Sequence, residues 1–400
     1  MELSQDLYET LVSIWRSASA GHAGQGKLSP GETYAVSRKI RELSRGFTRD
    51  RALAGERYLS DPDLLGAYLL HFWPISYMQT LLCISMMKRA ARRANAEAGA
   101  GAGAGARADA APNLGRVLDL GAGPGPVSLA LLDSGAARVT ACDRSAAALS
   151  LARKIARERG YDLSTQRWDA VKTQDLPAGP FDLIAFGHTL NELWSGHPDR
   201  ISLRAGLVLR AADRLGPDGR LLIFEPALKS TAQEAIRVRD ALVEAGMAVE
   251  APCIWQHACP ALPEGTCHGE FNWDPPPAMV RLAHAARIGR ETLKMAWFVL
   301  RRKEDSAPVP PAQESPSADG GLYRVVSEPL LSKSGRVRYL VCGPLGRFPL
   351  SAPKDARGPR ISAFFRLARG DGIRFSGSKR RETGWGLDSD ARVDVVERVP

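Results

Sequence analysis

The chain has 400 residues, 44% of them hydrophobic, which is enough for two or three domains with substantial cores. No apolar run is long and uninterrupted enough for a membrane span, and the first residues lack the basic and apolar pattern of a secretion signal. We therefore expect a bacterial cytoplasmic protein. Its net charge of +10 favours a polyanionic partner, and we expect RNA rather than DNA or a membrane.

Residues 1–94 are predicted to form a helical domain. Residues 34–44 have apolar positions at helical spacing, and Asp61 followed by Pro62 is typical of a helix start. Residues 95–112 are mostly Ala and Gly, with few side chains to bury, which indicates a flexible linker.

A glycine-rich turn follows the linker. An apolar strand at residues 117–120 leads into Gly121, Gly123 and Gly125, and a helix is predicted from about Pro126. Glycine allows a positive φ and a close approach of backbone to ligand, and the free N–H groups of the helix start point back at the turn. The pattern predicts a site for a nucleotide-like ligand, although glycines alone also suit a tight strand–helix turn.

Three features favour S-adenosylmethionine over NAD. The spacing is G-x-G-x-G, not the G-x-G-x-x-G of dinucleotide folds, and Asp119 is placed to hold the ammonium group of the ligand. The next strand ends in Asp143, where a carboxylate can bind both ribose hydroxyls, and Asp169 is expected near the adenine. This combination resembles the first motif of class I methyltransferases.

Residues 113–305 are predicted to form an α/β domain with the class I methyltransferase (Rossmann-like) fold. Helices are predicted at 145–160 and 203–215, and strands at 181–186 and 219–225. Alternating strands and helices indicate a parallel sheet covered on both faces, with ligands at the carboxyl ends of the strands.

No catalytic residue can be assigned from the sequence. The loop after the fourth strand lacks the Pro-Pro pair of amino-group methyltransferases, and no cysteine lies there to serve as a nucleophile. His188, Asn191 and Glu192 are candidates, but structural roles in the loop are the stronger interpretation. Whether methyl transfer occurs is therefore left open.

The last part of the chain is basic. A Pro-rich linker is predicted at 306–320, a small and barrel-like β domain at 321–382, and a disordered tail at 383–400, with strands at 322–326, 337–342 and 361–365. Residues 321–400 contain sixteen Lys and Arg against eight Asp and Glu. Such a surface can simply be solvated, but these side chains could also line phosphates: Arg366, Arg369, Arg374, Lys379, Arg380 and Arg381.

The cysteines fall into two groups. Cys83 and Cys142 lie in apolar segments and are expected in the core. Three others lie within a loop-like block at 253–267, and a fourth follows the second linker: Cys253, Cys259, Cys267 and Cys342. Clustered thiols in a reducing compartment indicate a metal rather than disulfides. Spacing alone leaves an iron–sulfur cluster, zinc and unligated thiols open, with His257 and His268 as further zinc ligands.

Taken together, these motifs resemble the methyltransferase-like small-ribosomal-subunit assembly family. That family includes bacterial proteins, the yeast mitoribosomal small-subunit protein twenty-two and the human mitochondrial methyltransferase-like protein seventeen. The resemblance covers roughly residues 30 to 350 and rests on the glycine turn and on these pieces: His188-Thr-Leu-Asn-Glu-Leu-Trp, Phe224-Glu-Pro, the block from Pro252 to His268, and Cys342. One departure is Thr266, where family members commonly have Trp before the third cysteine.

The resemblance implies a [4Fe–4S] cluster on the four late cysteines and an S-adenosylmethionine pocket at the glycine turn. It also implies binding to small-subunit rRNA, together with small-subunit ribosomal proteins, during assembly or translation. The alternative is a catalytically active rRNA methyltransferase on the same surface.

Overall fold

The computed structural model describes residues 2–18, 27–46, 61–99, 114–262, 265–289, 292–303 and 317–399. Most of the first predicted linker and residues 304–316 of the second lie outside these ranges. The described chain forms a helical N-terminal region, a central sheet flanked by helices, and a small β-barrel.

The N-terminal helices are α1 (Gln5–Ala18), α2 (Pro30–Arg45), α3 (Pro62–Ala67), a π-helical turn (Tyr68–Phe72) and α4 (Trp73–Gly99). Ser29 caps α2 in a capping box with Glu32, and Asp61 caps α3 as predicted, by accepting from the backbone N–H groups of Asp63 and Leu64. The prediction that the linker begins at residue 95 is wrong at its start, because alanine favours helix and α4 continues to Gly99.

The central sheet has the order β3-β2-β1-β4-β5-β8-β6, with β7 paired to β8. Its strands are β1 (Arg116–Leu120), β2 (Arg138–Asp143), β3 (Ser164–Arg167), β4 (Phe181–Gly187), β5 (Leu215–Pro226), β6 (Met247–Ala251), β7 (Gly269–Asn272) and β8 (Thr292–Arg302). The first five in the order are parallel, and β8 is antiparallel to its neighbours. The predicted α/β fold class is confirmed.

Helices cover both faces of this sheet. They are α5 (Pro126–Asp133), α6 (Ala146–Glu158), α7 (Arg200–Ala212) and α8 (Lys229–Glu244), whereas α9 (Pro277–Ala285) packs on α2 and the π-helical turn. Strands buried on both faces read as nearly continuous apolar runs, as in β4, where Leu183 to Phe186 are fully buried. One face packs on α4 through Leu82 and Met86, so the N-terminal region joins the core.

The β-barrel consists of β9 (Tyr323–Val325), β10 (Leu330–Leu331), β11 (Arg336–Gly343), β12 (Gly346–Pro353), β13 (Gly372–Arg381) and β14 (Gly384–Glu397). Strand β9 pairs with both β11 and β13, which closes the ring β9-β11-β12-β14-β13. Strands β12 and β14 are parallel, and the other pairs in the ring are antiparallel. A closed five-stranded barrel with this connectivity is an OB-fold.

Two predictions for this region are wrong. Residues 361–365 were expected as a strand, but a 3₁₀ helix (Ser362–Arg366) forms there, because Ile361 and Phe364 are buried at a spacing of three. The expected disordered tail is instead β14, in which Trp385, Leu387 and Val393 fill the barrel core. The alternation of apolar residues in this stretch satisfies the period of a strand.

The barrel docks on the rest of the molecule through charged side chains. Arg324 donates to the carbonyl oxygens of Pro252 (3.1 Å) and Gly370 (2.8 Å) and to the carboxylate of Glu397 (3.0 Å). Arg93 on α4 donates to the same carboxylate oxygen at 2.6 Å. One buried carboxylate thus links the helical region to the barrel.

No helix in the described part of the chain combines the length and hydropathy needed to cross a bilayer.

Candidate cofactor site and thiol cavity

The glycine turn has the backbone that its sequence predicts. Gly121, Gly123 and Gly125 have φ values of 79°, 52° and 79°, in the left-handed region that favours glycine. A Cβ at Gly121 would overlap the side chain of Thr189, whose hydroxyl donates to the carbonyl of Leu120 at 3.0 Å. The turn is therefore tight on its inner side and admits no larger residue at Gly121.

Asp143 ends β2 on the wall of the cavity in front of this turn. Its Oδ2 accepts from the backbone N–H of Gly123 at 2.9 Å, and its Oδ1 accepts from that of Ser145 at 2.8 Å. The two bonds fix the carboxylate beside the turn, at the strand end where the sequence predicts a contact with ribose hydroxyls.

Asp169 also lines the cavity, two residues beyond the end of β3. Its Oδ1 accepts from the backbone N–H of Val171 at 3.0 Å. The neighbouring Trp168 is buried, and its indole N–H donates to the carbonyl of Asp175 at 2.8 Å. Together they form the part of the wall predicted to lie near the adenine.

Asp119 lies beneath the turn and not on the cavity wall, so the predicted direct contact with a ligand ammonium group is not what the structure offers. It is fully buried, and its Oδ2 accepts from the hydroxyl of Ser128 at 2.6 Å. Oδ1 has no hydrogen-bond partner within the described residues. Burial raises the pKa of Asp119 to about 7, helped by the negative charge of Asp143. Strand alternation turns this side chain into the protein.

The cavity has a volume of about 1090 Å³, slightly above the usual range of roughly 300–1,000 Å³ for ligand pockets. The sequence did not indicate that the N-terminal helices form one of its walls, through Tyr68 and Phe72 of the π-helical turn and through Gln79 of α4. π-Helical turns are frequent at functional sites. Glu270 and Lys294 close the far side and form an ion pair of 2.8 Å.

The loop after β4 contributes His188, Asn191 and Glu192 to the cavity wall. His188 has a φ of 57°, its Nε2 lies 2.7 Å from Oε1 of Gln79, and its ring meets Phe224 edge-on at 4.9 Å. Asn191 donates from its side chain to Glu225 at 2.6 Å. These contacts hold the loop rigidly in place and leave no assigned general base.

Glu225, near the end of β5, supports the loop on the cavity wall and was not predicted from the sequence. It is buried behind the loop and accepts from the side chain and from the backbone N–H of Asn191. Burial raises its pKa to about 8, so the carboxyl is protonated at neutral pH. The sequence shows an acid followed by Pro226 at the end of a predicted strand, but two residues do not indicate whether the acid is buried.

The sequence of this region matches a family model described as a methyltransferase domain, over residues 117–211. The matched segment contains the glycine turn, both acidic strand ends and the loop after β4. Residues 117–211 are therefore similar in sequence to a methyltransferase domain. The sheet order and the position of the cavity show the class I, Rossmann-like fold of S-adenosylmethionine-dependent enzymes. A comparison with curated proteins finds no match.

Several of the solved structures similar to this chain are described as methyltransferases or methylases. A ribosomal protein L11 methylase from Lactobacillus delbrueckii subsp. bulgaricus is 19% identical, with 47% of this chain and 70% of that chain covered and a TM-score of 0.28. A putative RNA methyltransferase from Pyrococcus horikoshii is 15% identical over 49% and 77% of the chains, with a TM-score of 0.32. A TehB-like SAM-dependent methyltransferase from Corynebacterium glutamicum is 18% identical over 48% and 83%, with a TM-score of 0.30. Nothing about substrate follows from similarity at this level.

A second, smaller cavity of about 70 Å³ lies between the central sheet and the barrel. The four late cysteines all line it, although they come from separate elements: Cys253 and Cys259 from the loop after β6, Cys267 from just before β7, and Cys342 from β11. His268 also lines this cavity, whereas His257 does not. Cys83 and Cys142 are fully buried elsewhere in the core, as predicted.

Burial raises the pKa of all four thiols, to about 12 for Cys253. After burial, the negative charges of the other three thiolates contribute to the raised pKa of Cys342. Nearby guanidinium groups oppose this rise: Arg239, Arg324, Arg347 and Arg369. Across the described residues, no group of three or more His, Cys, Asp and Glu side chains is arranged to hold a metal ion.

The predicted phosphate-binding side chains are divided between two places. Arg369 turns inward, lines the thiol cavity and donates to the carbonyl of Val326 at 2.8 Å. Lys379, Arg380 and Arg381 are exposed together at the end of β13. Of the other two, Arg366 is also exposed, and Arg374 is half-buried and donates to the carbonyl of Gly320 at 2.7 Å. The exposed side chains are the ones available to an external polyanion.

Proposed function

We propose that this protein is a small-ribosomal-subunit assembly or translation factor of the cytoplasm. In this proposal it binds S-adenosylmethionine in its methyltransferase domain, carries a structural [4Fe–4S] cluster, and binds small-subunit rRNA and ribosomal proteins. The observation that carries the proposal is the meeting of four thiols from the methyltransferase core and the barrel at one cavity. This is the arrangement that the resemblance to the assembly family implies.

The support for S-adenosylmethionine is the fold together with the geometry of the turn. Gly121 and Gly123 leave room for backbone contact, and Asp143 and Asp169 stand at neighbouring strand ends on the same wall. Asp119 would act indirectly, because its hydrogen bond to Ser128 holds the first turn of α5 against β1 beneath the glycine turn.

The support for the cluster is the chemistry of the donor set and not a preformed geometry, because the described side chains are not arranged to hold a metal ion. Four thiols suit a [4Fe–4S] group, and the surrounding arginines offset the negative charge that four thiolates bring. Ligation requires loss of the thiol protons, so an occupied site and neutral empty thiols are separate states of the protein. When bound, the cluster supplies a covalent cross-link between the core and the barrel.

Metal analysis tests the cluster directly. Protein purified without oxygen should contain about four iron and four sulfide per chain, because each cluster has that composition. Replacing Cys342 with Ser should lower both together. Stoichiometric zinc without sulfide would contradict the proposal.

Binding to small ribosomal subunits tests the partner. The protein should sediment with purified small subunits and bind small-subunit rRNA, with an affinity that falls steeply as salt rises. Absence of binding at low salt, or binding insensitive to salt, would contradict an rRNA-binding role.

An active rRNA methyltransferase is the second candidate, because the cavity extends beyond the glycine turn to Tyr68 and Lys294 and leaves space for an acceptor. Incubating labelled S-adenosylmethionine with small-subunit rRNA and protein decides between the two. If the label is transferred to rRNA and Asn191→Ala abolishes the transfer, the protein is an active methyltransferase, since Asn191 fixes the loop on the cavity wall. If the protein binds S-adenosylmethionine but transfers no methyl group, the result favours the assembly factor.

A further inference from the structure

One face of the barrel combines two independent features of a nucleic-acid site. In OB-folds, oligonucleotides bind across the second and third strands and the adjoining loops, which are β11, β12 and the β13–β14 hairpin here. Cross-strand pairing aligns four positions over this face in one row: Arg338, Ser351, Gly386 and Lys379. Three strand spacings make that row roughly 14 Å long.

Gly386 is a cradle for an arginine. A Cβ at this position would overlap Nε of Arg381, although Gly386 does not have the positive φ that would itself require glycine. The missing side chain therefore lets Arg381 lie flat across β14 towards β12. This places its guanidinium in the middle of the face.

A second arginine is held beside it. Arg336 donates from Nε to the hydroxyl of Ser351 (3.2 Å) and from Nη2 to the carbonyls of Ser351 (2.9 Å) and Leu387 (3.3 Å). Burial and the positive charge of Arg381 both lower the pKa of Arg336, so two like charges are kept close by the fold. Such repulsion is relieved when an anion binds between them.

Acidic neighbours neutralise only part of this charge. Asp388 pairs with Lys379 at 2.8 Å. Within the described residues, Arg338, Arg380 and Arg381 form no ion pair. Beside them, Leu330 pairs with Arg338 across β10 and β11 and is 44% exposed. The face therefore offers cations for phosphates and apolar carbon for bases.

We propose that single-stranded RNA crosses this face, with its phosphates bound by Arg338 and Arg381 and a base against Leu330. The choice of RNA rests on the proposed function, whereas the anionic, extended form of the ligand rests on the face itself. Phosphate contacts carry no sequence information, so the face binds RNA of any sequence and the rest of the molecule selects the site.

The test uses the full-length protein and a fluorescein-labelled oligouridine of about 20 nucleotides, followed by anisotropy over a series of salt concentrations. The double variant Arg338→Gln, Arg381→Gln should bind about tenfold more weakly, and the slope of log K against log salt should fall by about 1.4 for two lost phosphates. Arg392→Gln is the matched control, because Arg392 is exposed on the same barrel but already pairs with Asp394 at 2.7 Å.

Gly386→Ala tests the cradle. It should weaken binding, and it should add nothing in an Arg381→Gln background, because both changes remove the same guanidinium from the face. The proposal is overturned if the double variant binds oligouridine with the affinity and salt slope of the unchanged protein. If oligouridine binding depends on both arginines but no variant or parent sediments with small subunits, this face stands and the ribosomal role falls.

Discussion

The two cavities of this molecule are built from different kinds of sequence. The large cavity is shaped by backbone: a glycine turn, the carboxyl ends of parallel strands and a loop fixed by Glu225. The thiol cavity is shaped by docking, because Cys342 reaches the other cysteines only when the barrel sits on the core. The comparison shows that one site depends on local conformation and the other on tertiary assembly. A substitution that disrupts one site should therefore leave the other intact.

The largest expected effect is at Gly121. Gly121→Ala introduces a Cβ that overlaps Thr189 at a residue with a φ of 79°. We expect the affinity for S-adenosylmethionine, measured by calorimetry, to fall by roughly 100-fold or more, because strain and displacement of the turn add. Iron content should stay unchanged.

Gly135→Ala is the control for that change. Gly135 also has a positive φ, of 99°, but nothing lies within 4 Å of the Cβ position. The backbone strain should cost about 1 kcal/mol of stability and leave cofactor binding intact. Equal loss of binding in both variants would contradict the steric explanation.

Next in size is the effect of Cys342→Ser. Iron and sulfide should fall below half of the parent level, because one of four ligands is lost and the barrel loses its cross-link. Affinity for S-adenosylmethionine should change less than twofold, a limit set by independence of distant sites. Cys83→Ser, in the buried core, is the comparison variant and should keep its metal.

The docking contact at Glu397 should have a smaller effect. Glu397→Gln leaves Arg93 and Arg324 without their shared carboxylate, and we expect a loss of about 3 kcal/mol in unfolding by urea. Asp394→Asn breaks an exposed pair on the same strand and should cost less than about 1 kcal/mol. A similar cost for both would mean that Glu397 does not link the barrel to α4.

A final effect is the pH dependence of stability that two carboxyl groups buried behind the large cavity produce. Burial raises the pKa of Glu225 to about 8 and that of Asp119 to about 7, so the folded protein holds protons that the unfolded chain releases. Their contribution to stability is complete below the ordinary carboxyl pKa and is lost as pH rises through these values, at most about 1.4 kcal/mol per pH unit for each group. Melting temperatures of Glu225→Gln should fall less between about pH 5 and 8. An unchanged profile would contradict the buried protonated carboxyl.

Contiguous patterns in the sequence predicted most of the methyltransferase domain. The strand, the three glycines and the acid at the end of β2 lie within a few residues of one another, and local geometry is enough to place them. The burial of Asp119 was not predicted, because the face that a strand residue occupies depends on the helices packed against it. Glu225 was missed for the same reason.

The barrel shows where local patterns fail. Strands β9 and β11 were predicted, but residues 361–365 and β14 were assigned wrongly. Closure of the ring by β9 requires pairing between residues far apart, which no local pattern encodes. The convergence of the cysteines was expected from composition and resemblance, whereas the cradle at Gly386 needs coordinates.

Arg324 gives the barrel contact a further property. One guanidinium joins Pro252, Gly370 and Glu397, and the amides of Val325 and Gly370 are bonded directly around it. Segments tied to a single buried charge separate together or not at all. Hydrogen exchange at Val325 and Gly370 should therefore proceed at one common opening rate, and the cysteine loop beginning at Pro252 should share it.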